Sequence, residues 1–128
     1  MSTGGQPNLR WAPAEGYVKH LPDYLRTWPN VIDSTANGGI AKYHPDLTRA
    51  QIEQIEMSID ESQYLIRSHY GGYFYQLCTR IIGASDGEET DIVFIKVGSC
   101  GAVHGQPITK KHFRNLWQKY RKGEACPV

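Results

Sequence analysis

The fold class is decided by the stretch from Tyr64 to Val97, which reads YLIRSHYGGYFYQLCTRIIGASDGEETDIVFIKV. Its strong β formers recur with a period of two, which is typical of strands. We predict strands at 64–69, 73–82 and 91–97, with a hairpin signal at Gly71-Gly72 and a turn at 85–89. Because the connections are short, the strands should form an antiparallel meander, with a fourth short strand at 102–104.

Helical patterns lie on both sides of this stretch. Thr48 and Gln51 match the S/T-x-x-E/Q capping box, and isoleucines then recur on one face, which predicts a helix over 49–61. An apolar stripe that begins at Phe113 predicts a final amphipathic helix over 110–122. A third helix is expected to start near Leu21 and to stop at Pro29.

The order of these elements predicts the α+β class, with N-terminal helices, an antiparallel meander of three to four strands and a C-terminal basic helix. Residues 1–16 are rich in glycine and proline and are read as a flexible arm, while residues 17–128 form one α+β domain.

Composition excludes several classes of protein. The 128 residues carry 14 Lys and Arg against 13 Asp and Glu, and 40% are hydrophobic, which excludes a polycationic tail and a disordered chain. No stretch approaches the roughly 20 apolar residues of a membrane-spanning helix, so we expect no membrane partner. The polar first eight residues predict no secretory signal.

Basic residues are concentrated at the C-terminal end. Six Lys or Arg and no acidic residue fall between Ser99 and Gly123. Such a strip attracts phosphate, so Lys110, Lys111 and Arg114 are candidate contacts to an RNA backbone. The same pattern also fits the solvated face of an ordinary amphipathic helix.

Three of the five histidines lie where catalytic groups are often displayed. His20 lies beside the first predicted helix, His69 at the end of a strand and His104 in a loop flanked by glycine. Histidine is the side chain best suited to proton transfer near neutral pH. Each of them, taken alone, equally fits an incidental structural role.

The sequence contains none of the common motifs for metal binding, nucleophilic catalysis or phosphate binding by a loop. The sequence contains no H-E-x-x-H, no G-x-S-x-G and no P-loop, and the three cysteines form no C-x-x-C pair. We therefore predict no metal site and no cofactor. Cys78 alternates within a strand and has no local partner that would make it a nucleophile.

Two short segments carry a resemblance to a known family. The stretch NGGIAKYHPDLT at 37–48 runs into a helix and then a meander, and VHGQPI at 103–108 follows. Over residues 19–108 the chain resembles the C-terminal toxin domains of bacterial polymorphic and contact-dependent inhibition toxins. Many of these are small metal-independent ribonucleases with helices before a twisted antiparallel sheet. The basic last helix goes beyond that pattern.

The resemblance implies cleavage of RNA by transesterification. One neutral histidine would take the proton of a ribose 2′-hydroxyl, and a second, protonated histidine would give one to the departing 5′-oxygen. The candidates are His20, His69 and His104, with Lys42, or Lys96 in reserve, stabilising the charge on the phosphate. Such a domain would act in the cytoplasm, including that of a target cell, and an immunity protein would be its protein partner.

Two other functions stay open. A non-enzymatic binding protein, such as an immunity protein, an antitoxin or a phage inhibitor of a host protein, would use an aromatic surface formed by Tyr64, Tyr70, Tyr73 and Tyr75. The same tyrosines also suit a core. A nucleic-acid-binding module without catalysis would instead depend on the final helix.

Overall fold

The computed structural model describes residues 8–68 and 71–128. It is an α+β fold in which three α-helices and eight strands are described, together with a short 3-10 helix, Ala12–Glu15. The strands are β1 Arg10–Trp11, β2 Lys42–Tyr43, β3 Tyr64–Ser68, β4 Gly71–Leu77, β5 Gly83–Ser85, β6 Glu88–Thr90, β7 Ile92–Val97 and β8 Ala102–Ile108. The helices are α1 Trp28–Ser34, α2 Arg49–Met57 and α3 Lys110–Tyr120. No helix within the described ranges is long and apolar enough to cross a bilayer.

The predicted meander is confirmed as the main part of a five-stranded sheet with the order β1-β8-β7-β4-β3. Its neighbours pair antiparallel, except that the short β1 runs parallel to β8. The fourth strand is longer than expected, because β8 stays in register with β7 from Val103 to Ile108.

The expected long strand over 73–82 ends earlier than predicted, and residues 78–82 are not part of a strand. β4 ends at Leu77, and the chain re-enters a strand only at Gly83, where β5 joins β2 and β6 in a second sheet. A Cβ at Gly83 would lie 2.6 Å from the Lys42 carbonyl oxygen and 2.4 Å from the Pro107 ring. The absence of a side chain at Gly83 therefore lets β5 lie close to both β2 and β8.

The five-stranded sheet buries both of its faces. On one face Val93 and Ile95 pack with Ile52 of α2, and on the other face Ile92 and Phe94 pack with Phe113 of α3. The alternation predicted for β7 is thus realised as two hydrophobic clusters separated by the sheet.

The prediction of a helix starting near Leu21 is wrong. Residues 17–27 form no α-helix, and α1 begins at Trp28, with the Thr27 hydroxyl accepting from the Asn30 N–H. Pro29 therefore lies in the first turn of a helix, where its missing N–H costs no hydrogen bond, and not at a helix end.

Part of the predicted arm belongs to the folded structure. Trp11 is buried, and the Arg10 N–H donates to the Gly101 carbonyl at 2.8 Å as β1 joins β8. Residues 1–7 lie outside the described residues. α2 and α3 end at Met57 and Tyr120, a few residues earlier than the sequence pattern predicts.

One buried carboxyl group joins the strands around β8. Glu56 of α2 is 1% exposed and accepts hydrogen bonds from Trp11 Nε1 at 2.8 Å and from the Tyr43 hydroxyl at 2.5 Å. A Cβ at Gly105 would lie 3.0 Å from Glu56 Oε2, so glycine gives the carboxyl group access to the β8 backbone. Burial raises the pKa of Glu56, and hydrogen bonds from Tyr43, Trp11 and the Gly105 amide oppose that shift.

We expect Glu56→Ala to lower the free energy of unfolding by about 3–5 kcal/mol, because it leaves two buried donors without an acceptor and opens a cavity. Glu56→Gln keeps one acceptor and the volume, so its cost should be smaller. Urea unfolding followed by circular dichroism measures both. Glu53→Ala, at an exposed position of the same helix, is the control and should change stability by no more than about 0.5 kcal/mol. An equal effect of the two alanine variants would contradict the role given to Glu56.

Candidate functional site

A row of four side chains crosses the α3 face of the sheet and reaches its edge. Tyr73 of β4 pairs with Lys96 of β7, which in turn pairs with His104 of β8. Directly opposed residues share one face of an antiparallel sheet. The ring of Tyr17, from the segment that follows the 3-10 helix, packs on the His104 ring with centroids 4.3 Å apart. We call these four side chains the sheet row.

His104 is the histidine of this row, and it is half-buried. Burial lowers its pKa below the usual 6.5, and the charges of Lys96 and Lys19 lower it further. At neutral pH the imidazole is therefore mainly uncharged, which is the form that can accept a proton.

His20 lies close to the row but is 6% exposed. Its Nδ1 is 2.7 Å from the Ala41 carbonyl oxygen, which can only accept, so Nδ1 carries the proton. Nε2 is buried and has no hydrogen-bond partner among the described residues. The His20 backbone carbonyl accepts a hydrogen bond from the Tyr43 N–H at 2.9 Å. The ring and the backbone of His20 are therefore both hydrogen-bonded to residues 41–43.

Three lysines surround the two histidines. Burial is the main reason that the pKa of His20 falls to about 4, and the charges of Lys19, His104 and Lys42 add to that effect. Lys19 Nζ also lies 5.7 Å from the centroid of the Tyr17 ring. We call His20, His104, Lys19, Lys42 and Lys96 the histidine–lysine cluster.

The cluster has a marked charge imbalance. Among the described residues, the charges that lower the pKa of His20 and His104 come from Lys19, Lys42 and Lys96, and on His20 also from His104 in its protonated form; none comes from a carboxylate. A site of this kind attracts an anion, and phosphate is the anion that lysine and imidazole groups commonly bind.

Of the residues predicted by sequence, His104 and Lys42 each lie close enough to His20 for their charges to lower its pKa, while Lys42 is not among the charges that shift the pKa of His104. The fourth catalytic candidate, His69, lies outside the described residues. The reserve candidate, Lys96, lies next to His104, while Lys42 lies next to His20. Sequence reasoning did not identify Tyr17 or Lys19, because both reach β8 through an irregular segment that has no periodic pattern.

The three basic residues of α3 do not join the cluster. Lys110, Lys111 and Arg114 are exposed, and α3 begins after Ile108, which lies four residues and roughly 13 Å along β8 from His104. Arg114 Nε donates to the Val128 carbonyl at 3.2 Å.

The tyrosines proposed as an interaction surface are largely used in packing. Tyr75 is buried edge-on against Phe113, with ring centroids 4.9 Å apart. The Tyr64 ring is covered by the Arg121 guanidinium at 4.2 Å. Tyr73 is half-buried, and Tyr70 lies outside the described residues.

A separate groove of about 470 Å³ lies on the α2 side of the sheet. Its lining includes Gln54, Gln76, Cys78 and Arg80 and none of the cluster residues. Burial and the charge of Asp91 raise the pKa of the Cys78 thiol, which disfavours the thiolate that a nucleophile requires. Within residues 8–68 and 71–128 no group of three or more His, Cys, Asp or Glu side chains is arranged to hold a metal ion.

The low pKa of His20 predicts a pH-dependent stability. Because the unfolded state, with a pKa near 6.5, binds the proton more readily than the folded state, stability is complete above pH 6.5 and falls as the pH drops towards 4. His20 should account for about 2–3 kcal/mol of the stability lost between pH 7.5 and 4.5. Urea unfolding of the parent and of His20→Gln at both pH values tests this. The variant should lose less on acidification, and an equal loss in both proteins would contradict the assignment.

The position of Lys96 predicts a change in the titration of His104. Removing the neighbouring positive charge with Lys96→Gln should raise the pKa of His104, since the lysine disfavours the imidazolium. NMR titration of the imidazole carbon-bound protons measures this without any substrate. Lys110→Gln, at an exposed position of α3, is the control. An unchanged His104 titration in Lys96→Gln would show that the two side chains do not interact.

Comparison of the chain with protein-family models, with curated proteins and with solved structures found no match.

Proposed function

We propose that this protein is a metal-independent ribonuclease, a toxin domain of the type that its sequence resembles. The observation that best supports the proposal is the placement of half-buried His104 directly opposite Lys96, with Lys19 as the other charge among the described residues that lowers its pKa and with no carboxylate among those charges. A neutral imidazole beside a lysine ammonium combines a proton acceptor with a group that stabilises phosphate charge.

The proposed reaction is an intramolecular transesterification. His104 takes the proton of the ribose 2′-hydroxyl as the 2′-oxygen bonds to phosphorus. The bond from phosphorus to the 5′-oxygen then breaks, which leaves a 2′,3′-cyclic phosphate. The departing 5′-oxygen takes a proton from the Lys96 ammonium, and the lysine recovers it from solvent. Lys19 and Lys42 stabilise the charge that gathers on the non-bridging oxygens.

This proposal gives the two histidines different roles. His20 is too buried for direct contact with an RNA strand, and its ring is held by the Ala41 carbonyl. We assign it the role of positioning residues 41–43, and hence Lys42, beside the cluster. His69 remains a second candidate for the proton donor. Lys110, Lys111 and Arg114 would contact the RNA backbone further along its path.

A specific observation also favours the alternative of a protein-binding module. In the segment between the 3-10 helix and α1, Leu25 is 97% exposed, Tyr24 is 62% exposed and Val18 is 48% exposed, and Ile40, which follows α1, is also 48% exposed. Exposed apolar side chains of this size are typical of interaction surfaces. A cognate protein partner is compatible with a ribonuclease and also with a protein that has no activity.

We expect the purified protein to cleave single-stranded RNA in the presence of EDTA and to leave 2′,3′-cyclic phosphate ends. His104→Ala should reduce the rate by about 10²–10⁴-fold, because it removes the general base. Gel electrophoresis of a labelled oligoribonucleotide, with mass spectrometry of the products, measures both results.

The matched control is His112→Ala, which removes a histidine of α3 outside the cluster and should retain the activity. A 2′-deoxy nucleotide at the cleaved position should block cleavage there, since the nucleophile is missing. Intact RNA after incubation with the folded protein, or equal cleavage by His104→Ala, would overturn the ribonuclease proposal. A search for a protein partner of the Leu25 segment would then follow.

A further inference from the structure

We infer that the sheet row binds a single-stranded nucleic-acid segment, with one base stacked on Tyr73, a second base stacked on Tyr17 and the intervening phosphate held by Lys96 and His104. This inference rests on the proposed function and specifies its substrate. It depends on the four side chains of the row, in which Lys96 and His104 lie side by side, Tyr73 pairs with Lys96 and Tyr17 packs on His104.

The spacing of the row suits two separate bases. Tyr73 and His104 lie on β4 and β8, which are separated by β7, so their backbones are roughly 10 Å apart. The Tyr17 ring packs on His104, at the β8 end of the row. We assign each ring its own base, because Tyr17 packs on His104 and Tyr73 stands two strands away from that residue.

Both rings are held in place before any ligand binds. The Tyr73 ring meets Phe94 and Tyr120 edge-on, with centroids 5.2 and 5.8 Å away. The Tyr17 ring is packed on His104. Aromatic side chains fixed in this way lose little conformational freedom when a base stacks on them.

The charge of the row lies close to the Tyr73 ring. Lys96 Nζ is 5.8 Å from the centroid of the Tyr73 ring and 5.7 Å from that of Phe94, so its ammonium stands over the aromatic part of the sheet. A phosphate bound to Lys96 would carry its two flanking nucleosides towards Tyr73 on one side and Tyr17 on the other. Bases held inside a duplex are already stacked and cannot reach the rings, so the row should select single strands.

The test measures binding with a ligand that lacks the 2′-hydroxyl and cannot be cleaved by transesterification. A fluorescein-labelled single-stranded DNA oligonucleotide and the duplex of the same length are titrated by fluorescence anisotropy at one fixed salt concentration. We expect Tyr73→Leu to weaken single-strand binding by about 5- to 150-fold, the range observed for loss of one base–aromatic stack. Tyr73→Phe keeps the ring and should retain the affinity, and the duplex should bind more weakly than the single strand.

Two further variants complete the design. Tyr24→Leu removes an exposed tyrosine outside the row and should leave binding unchanged. Tyr17→Leu changes the other end of the row, at a residue outside both hydrophobic clusters, and replaces Tyr73→Leu if that variant does not fold. Equal affinity of the parent and the folded leucine variants, or equal affinity for single strand and duplex, would overturn the inference.

The outcomes for binding and for cleavage are separable. If the protein leaves RNA intact but its oligonucleotide binding depends on Tyr73 and Tyr17, the row is a binding site and the cleavage mechanism is wrong. If it cleaves RNA through His104 but the leucine variants bind normally, the ribonuclease proposal stands and the base-stacking role is wrong.

Discussion

The buried carboxyl group of Glu56 is the constraint on which the candidate site depends. Removing a carboxyl group from water is costly unless hydrogen bonds replace the lost hydration. Here the donors are Trp11, Tyr43 and the Gly105 amide, which belong to β1, β2 and β8. Tyr43 also holds the His20 carbonyl, and Gly105 directly follows His104. One side chain of α2 therefore joins β1 to the two strands, β2 and β8, that carry Lys42 and His104 of the histidine–lysine cluster.

The charge of the cluster works against the folded state. Lys19, Lys42 and Lys96 lie near two histidines, and like charges placed this close repel one another. The fold lowers part of that repulsion by keeping both imidazoles neutral. A bound phosphate would relieve the remainder, and it would also favour the protonated form of His104 after that residue has taken a proton. The unliganded arrangement is thus prepared for an anion, since the anion supplies the charge that the surrounding residues lack.

Local sequence patterns predicted most of the fold but only part of the site. The capping box at Thr48 and the period-two pattern of β7 specify their elements within a few residues, and both are present in the structure. The helix prediction was wrong at Pro29, because proline occurs both directly after the end of a helix and in the first turn of a helix. The approach of Tyr17 and Lys19 to His104 is a long-range contact of an irregular segment, which no local periodicity encodes.

Burial separates the roles of two histidines that the sequence could not distinguish. His20 has one ring nitrogen committed to a backbone carbonyl and the other enclosed, so it is suited to holding backbone and poorly suited to meeting a polymer. His104 is half-buried on an open row and has a lysine beside it, so it can exchange a proton with a bound group. Because the same lysine lowers the pKa of His104 and would contact the phosphate, removing it should change the titration and the phosphate binding together. That coupling is expected of a site built for phosphate chemistry, whereas a lysine that only solubilises the sheet face would change the titration and leave phosphate binding unchanged.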